Sequence, residues 1–315
     1  QNMACEDIFT QFLDQTTAGM FPLPESGRMV VIHEQQSLQQ AMQTLVQNKI
    51  LSAPVKTDSD ELVGLVDMVQ LCSVVVELLT PDIVPDIPVM QFEHHFQQLM
   101  QGAFTTRTVS SIVDRSLLAC VSSDSSLREV LRLLAAGHHR VCVVNGRELI
   151  NVITQSAVVK MLSAQTAHLG SLGARTVQDL GLGSAPVVTV SSSDIAAEAF
   201  KRILSRHVSA VAVVDGARLL GTISVSDIRV VCQSMQDTRL LFGPVRFLLA
   251  RVHMSDTVER FPAITVSDDT TFGTTIQKLA LLKIHRLWVT NKGDPTCKLV
   301  KVISLGDVLG KIVDA

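Results

Sequence analysis

Apolar positions along the chain alternate between strand-like and helix-like spacing, and the alternation recurs four times. The last copy is the clearest. Residues 284 to 312 read IHRLWVTNKGDPTCKLVKVISLGDVLGKI: an apolar run, a polar turn, a second apolar run, then Ser-Leu-Gly-Asp opening a helical pattern. The first copy gives a strand at Met29 to His33 and apolar positions Leu38, Ala41, Met42, Leu45 and Val46 at helical spacing. SAPV, the turn KTDSDE, LVGLV and a helix from about Asp67 follow. The second runs LLACV, a helix over Leu127 to Ala136, HHRVCVVN, an Asn145-Gly146 hairpin turn, ELINVIT and a helix over Gln155 to Leu162. The third runs PVVTV, a helix over Ile195 to Leu204, HVSAVAVVDG, RLLGTI and SVSD entering a helix.

These spacings predict an α/β chain of four repeats at 29–79, 117–163, 186–232 and 262–315. A lead-in covers 1–28, and connections cover 80–116, 164–185 and 233–261. The strands are short, nearly continuous apolar runs, as expected of strands covered on both faces. Each repeat is too small to bury its own faces. Pairing one with two and three with four solves that, and places clefts along the seams. FPLPESG stops a lead-in helix over Asp7 to Leu13, and TPDIVPDIP punctuates the first connection ahead of a short helix in QFEHHFQQLMQ. The Gly- and Ser-rich AHLGSLGARTVQDLGLGSAP marks the seam between halves, and LLFGPVRFLLARV reads as a helix broken at Gly243-Pro244.

Composition narrows the chemistry. Hydrophobic residues make up 47% but aromatic residues only 4%, with no Tyr, so the core is aliphatic. A net charge of −3 with mixed signs excludes a nucleic-acid footprint or a polybasic membrane face. Cys5, Cys72, Cys120, Cys142, Cys232 and Cys297 form no CxxC pair, which argues against a zinc site or a disulfide framework and for a reducing, cytoplasmic or nuclear compartment. No signal-peptide pattern opens the chain, no apolar stretch is long enough to span a membrane, and the initial Gln-Asn-Met raises the expectation of a preceding segment. His94 and His95, adjacent on a helix, point apart and suit a solvated or partner-facing role rather than a shared metal. There is no P-loop, dinucleotide fingerprint, G-x-S-x-G or HExxH, so the expectation is a protein with no catalytic residues, metal or catalytic cofactor.

The β-α-β-β-α unit, with its strand ending in a hydroxyl and an acid one turn into the next helix, resembles the cystathionine-β-synthase (CBS) domain. Four in tandem, with LPESGRMVVIHEQQSLQQAMQTLVQNKILSAPV, HHRVCVV, HVSAVAVVD and IHRLWVT, are similar to the γ subunit of AMP-activated protein kinase and its plant and fungal relatives. The resemblance implies two Bateman modules in a flattened disc and AMP, ADP or ATP held in clefts with phosphates toward a basic centre. It also implies a regulatory role beside a catalytic α and a scaffold β subunit of a Ser/Thr kinase. Carried over residue by residue, it gives the ribose to Asp307 and Asp227, whose counterparts in repeats two and one are Ala157 and Gln70. Phosphates go to His139, Arg140, His285 and Arg286, with His207 in repeat three and Ile50-Leu51 in repeat one at the matching place. Ser304, Ser224, Ser209 and Thr154 supply hydroxyl contacts. The repeat-one cleft is then empty, and binding falls between repeats three and four, with His139 and Arg140 reaching across.

Each of these residues has a plainer reading. Ser-x-x-Asp at a helix start is also a capping box, and Arg140 and Arg286 also suit a surface or an interface. His33 and His138 read as ordinary. At the level of the whole chain the rival to a nucleotide-binding regulator is a structural adaptor that has lost ligand regulation.

Overall fold

The computed structural model describes residues 2–23, 29–79, 89–233, 235–254, 263–291 and 298–314. After a lead-in helix α1 (Asn2–Gln15), repeat one comprises β1 (Ile32–His33), α2 (Leu38–Gln47), β2 (Ser52–Lys56), β3 (Leu62–Asp67) and α3 (Met68–Glu77). Helix α4 (Val89–Thr106) leads to repeat two: β4 (Cys120–Ser122), α5 (Leu127–Ala135), β5 (Arg140–Asn145), β6 (Glu148–Thr154) and α6 (Gln155–Ala164). A short α7 (Gly170–Ala174) precedes repeat three: β7 (Thr189–Ser191), α8 (Ala196–Ser205), β8 (Ala210–Asp215), β9 (Arg218–Ser224) and, after a 3-10 turn, α9 (Ile228–Gln233). Then α10 (Val245–His253) leads to repeat four: β10 (Thr265–Val266), α11 (Phe272–Leu281), β11 (Arg286–Thr290), β12 (Leu299–Ser304) and α12 (Leu305–Val313).

Every repeat folds into the same three-stranded sheet. Its first strand pairs parallel with the second across a helical crossover, and the second pairs antiparallel with the third. The four small sheets fit paired Bateman modules. Within the chain two compact units form: Gln1–Met29 with Ser116–Val187 and Ala263–Ala315, and Val30–Arg115 with Val188–Pro262. In the first, α12 packs on α5 and α11 on α6, with Leu131, Leu134, Val141, Phe272, Ile276 and Leu309 fully buried. In the second, α3 packs on α8 and α2 on α9, with Leu45, Leu71, Phe96, Phe200 and Ile228 fully buried. The cores therefore join repeat two to four and one to three, where the sequence pattern suggested neighbours.

Each unit is closed by a second device. The first N–H of a helix has no partner inside the helix, and in each repeat a lead-in segment supplies one. Leu127 N–H of repeat two donates to Thr16 O (2.7 Å), while Ala18 and Gly19 N–H donate to Ser125 and Ser123 O (both 2.8 Å). Leu38 N–H of repeat one donates to Arg107 O (3.0 Å), with Val109 and Ser110 N–H returning to Gln36 and Glu34 O (both 2.9 Å). The segment ahead of repeat one thus clamps repeat two, and the segment ahead of repeat two clamps repeat one. Repeats three and four exchange in the same way, through Ala196 N–H to Gly243 O (2.9 Å) and Phe272 N–H to Arg175 O (2.8 Å).

The Gly- and Ser-rich stretch between the second and third repeats is part of this clamp rather than a bare linker. Gly183 (φ +94°) passes so close to β12 that a Cβ there would lie 2.8 Å from Val302 O. The break at Gly243-Pro244 falls where the sequence suggests, with Pro244 at the residue preceding α10. His94 and His95 are both exposed on α4, and His94 Nε2 lies 3.0 Å from Gln98 Nε2. Most of FPLPESG, all of TPDIVPDIP after its Thr80, Thr80 itself, and the turn before β12 lie outside the described residues.

Candidate functional site

One register recurs in all four sheets. The first residue of the central strand stands opposite the residue that caps the closing helix: Ser52 opposite Asp67, Arg140 opposite Thr154, Ala210 opposite Ser224, and Arg286 opposite Ser304. The next N–H after each cap donates to the residue just before that strand. Met68 reaches Leu51 O (3.1 Å), Gln155 reaches His139 O (3.3 Å), Val225 reaches Ser209 O (3.0 Å) and Leu305 reaches His285 O (3.2 Å). The counterparts of His139-Arg140 and His285-Arg286 are thus Leu51-Ser52 and Ser209-Ala210. The structure moves the repeat-one match by one residue from Ile50-Leu51.

His207 falls elsewhere. Its φ of +50° matches Lys49 (+54°), Gly137 (+109°) and Lys283 (+50°), each one residue past the C-cap of its repeat's first helix. His207 N–H donates to Leu204 O (3.2 Å) and Val208 N–H to Ile203 O (3.0 Å), a Schellman ending shared by the repeats. Its backbone closes α8, two residues short of the strand-start pair. Repeats one and three therefore present no cation at that pair.

The closing helices differ at their first turns. Asp67 caps α3 by accepting from Val69 N–H (2.7 Å) and Gln70 N–H (3.3 Å). Thr154 Oγ1 caps α6 by accepting from Ala157 N–H (3.1 Å), and no acid stands in that turn. In repeat three the Asp227 carboxylate accepts from Ser224 N–H (2.8 Å) and Ser224 Oγ (3.2 Å) and is 0% exposed. In repeat four Asp307 Oδ2 accepts from Ser304 N–H (2.7 Å) and Ser304 Oγ (2.6 Å), but the residue is half-buried. Its Oδ1 makes no hydrogen bond among the described residues.

The sequence-selected residues divide between the units. His139, Arg140, Thr154, His285, Arg286, Ser304 and Asp307 lie in the unit of repeats two and four; Ser209, Ser224, Asp227 and His207 lie in the other. A residue with no sequence signal joins the two repeats of the first unit. Gln155, buried at the start of α6, places Oε1 3.4 Å from His139 Nδ1 and donates through Nε2 to Leu134 O (3.1 Å). The same Nε2 would lie 3.7 Å from a Cβ on Gly306, so repeat two's histidine and the first turn of α12 meet through Gln155. His139 and His285 are exposed, and Arg140 and Arg286 are half-buried. Among the described residues no His, Cys, Asp and Glu cluster could hold a metal ion, and no helix is long and apolar enough to cross a membrane.

The CBS domain family matches residues 26–77, 109–164 and 177–233, more than half of the chain. The chain belongs to the CBS domain family. Its fourth repeat lies beyond these matches, yet has the same strand order and a capped closing helix. This CBS-domain chain is 25% identical to Protein SDS23 of Candida albicans over 89% of its own length and 49% of that protein. It is 31% identical to Protein SDS23 of Yarrowia lipolytica over 56% of its length and 37% of that protein. The chain spans about half the length of the relatives it matches. Its fold is that of a Methanocaldococcus jannaschii protein described as a candidate archaeal homologue of γ-AMPK, with TM-score 0.68 and 17% identity over 90% of this chain and 95% of that one. A conserved Pyrococcus horikoshii protein shares it at TM-score 0.54 and 16% identity over 90% and 96%. Identities this low establish the fold alone.

Proposed function

We propose that this CBS-domain protein is a non-catalytic regulatory subunit that binds an adenine nucleotide (AMP, ADP or ATP) where repeats two and four meet. The observation that carries the reading is the collection of both His-Arg pairs, His139-Arg140 and His285-Arg286, in one unit with the half-buried Asp307. The two closing helices are chemically complementary. The first turn of α6 has no carboxylate and its cap stands opposite Arg140, which suits phosphate oxygens at a helix N-terminus. The first turn of α12 carries Asp307, which repels phosphate but accepts from the vicinal hydroxyls of a ribose. Fully buried Asp227 is left out of the site, and so is His207. The binding expected between repeats three and four gives way to this pairing, since those repeats belong to different units.

Regulation requires the nucleotide to favour one state of a partner, with a coupling on the order of 1–3 kcal/mol. The CBS resemblance extends the reading to a γ-type subunit acting with a catalytic α and a scaffold β subunit of an energy-sensing Ser/Thr kinase. The SDS23 name of its sequence relatives lends that extension nothing, so the nucleotide site is the part to test first. Native mass spectrometry of the nucleotide-free chain with added ATP should show a bound adduct, diminished in Arg140→Ala. An unliganded wild type would remove the reading. It would favour the second one, a structural adaptor, which draws on the unit of repeats one and three, where Leu51-Ser52 and Ser209-Ala210 replace the His-Arg pairs.

A further inference from the structure

Cys120 opens β4, and its register partner on the parallel strand β5 is Cys142. The strands are in direct contact, with Cys142 N–H donating to Ala119 O at 2.8 Å. Register partners on adjacent strands project from the same sheet face, about 4.7–4.9 Å apart along the hydrogen-bonding direction. That separation falls inside the roughly 4.4–6.8 Å between Cα atoms that a disulfide requires. The flanking Val121, Val141 and Val143 take the opposite face and fill the helix-packed core. The pair is thus off that core.

The two thiols differ in role. Both are free; Cys120 is exposed and Cys142 is buried behind it. Each thiol perturbs the other: the neighbouring Cys142 lowers Cys120 to about 7, while Cys120 and burial raise Cys142. An exposed sulfur with thiolate character in front of a protected one is the arrangement of an attacking and a resolving thiol. Nothing similar stands at the matching positions of repeats three and four, Thr189 opposite Ala212 and Thr265 opposite Trp288. Cys72 is buried with its thiol raised, and burial pushes Cys232 up to about 12, so both are poor nucleophiles.

We propose that Cys120 and Cys142 are a thiol-redox site that forms a reversible cross-strand disulfide by exchange with a small-molecule disulfide. The Cys120 thiolate attacks one sulfur of the oxidant, forming a mixed disulfide and releasing one small thiolate. The Cys142 sulfur then attacks Cys120 Sγ, expels the second small thiolate and gives up its proton to it. Two protein thiols are oxidised and one small disulfide is reduced to two thiols.

The test is exposure of the reduced, full 315-residue chain to oxidised glutathione, followed by peptide mapping under non-reducing conditions. The expected result is a peptide pair joined through Cys120 and Cys142 and separated again by dithiothreitol. Cys142→Ser should then hold glutathione stably on Cys120, and Cys120→Ser should leave Cys142 unmodified. A wild-type chain that keeps both thiols, or that carries Cys120 only as a lasting mixed disulfide, overturns the proposal. The wild-type map decides this even if a variant folds poorly.

Discussion

Repeats three and four close with the same motif, Ser-x-x-Asp, in the same bonds and in opposite surroundings. Asp227 and Asp307 each accept from the backbone and the hydroxyl of the serine three residues back. Asp227 is 0% exposed, in a turn where Ser224 Oγ also lies 2.8 Å from Ser226 Oγ. Asp307 is half-buried, and glycine replaces Ser226 at position 306. Across the strand Ser224 faces Ala210, whereas Ser304 faces Arg286. A capping box therefore describes the local bonds of both acids and says nothing of their use. The distinction lies in the register partner and in the residue between the serine and the acid.

Four substitutions and one titration sharpen the comparison, from the largest effect to the smallest. Arg286→Ala removes the cation proposed for the phosphates on the repeat-four side, which should weaken adenylate binding by about 1.5–3 kcal/mol, roughly 10- to 100-fold, in equilibrium titration. Asp227→Ala strands the buried Ser224 N–H and should lower unfolding stability by about 1–3 kcal/mol in urea melts, without changing adenylate affinity in the folded protein. Asp307→Ala leaves groups that water can reach. Its stability cost should be only about 0.3–1 kcal/mol, the worth of a partly exposed acid at a helix start, while adenylate binding falls at least roughly tenfold. Gly306→Ser imports the repeat-three turn. The new Cβ would sit 3.6 Å from Ser304 Oγ and 3.7 Å from Gln155 Nε2, ordinary contacts. Stability should therefore move by less than about 0.5 kcal/mol, with adenylate affinity falling several-fold as the turn fills.

The smallest effect lies outside both caps. A hydrogen bond from Arg128 Nε to Asp14 (2.7 Å) holds that carboxyl below its ordinary 3.8. A depressed folded value stabilises above the unfolded value and ceases to do so as pH falls through the folded one, so its small contribution should fade below about pH 4. In melts against pH, Arg128→Ala should flatten that acid limb slightly and leave neutral pH nearly unchanged, since the pair is exposed.

Much of this fold was legible because its signals are local. The Asn145-Gly146 turn, the Ser and Thr caps, and the switch from strand to helix spacing each act within a few residues. The core partners were not. Helical faces such as Leu127–Leu134 show that something must cover them without naming repeat four, and the exchanged clamps rest on backbone N–H groups common to every sequence. The site was readable in part. His139-Arg140 and His285-Arg286 stand out as pairs, but the apolar run on both sides of Ser52 hid a one-residue shift, and His207 looks like a cation while its backbone serves a left-handed helix end. Gln155 carries no motif. Nor does the Cys120 and Cys142 pair, because a parallel register joins residues across an intervening helix that no spacing rule counts.

One calorimetric experiment separates the ligand role proposed for Asp307 from the capping role of Asp227. The nucleotide-free chain is titrated with AMP and with ATP as wild type, Asp307→Ala and Asp227→Ala, each confirmed folded at the working temperature. The expected result is saturable binding to wild type and Asp227→Ala with similar affinity, and at least a tenfold loss in Asp307→Ala, the equivalent of about 1.4 kcal/mol. Undiminished binding by Asp307→Ala, or none by wild type, would contradict it.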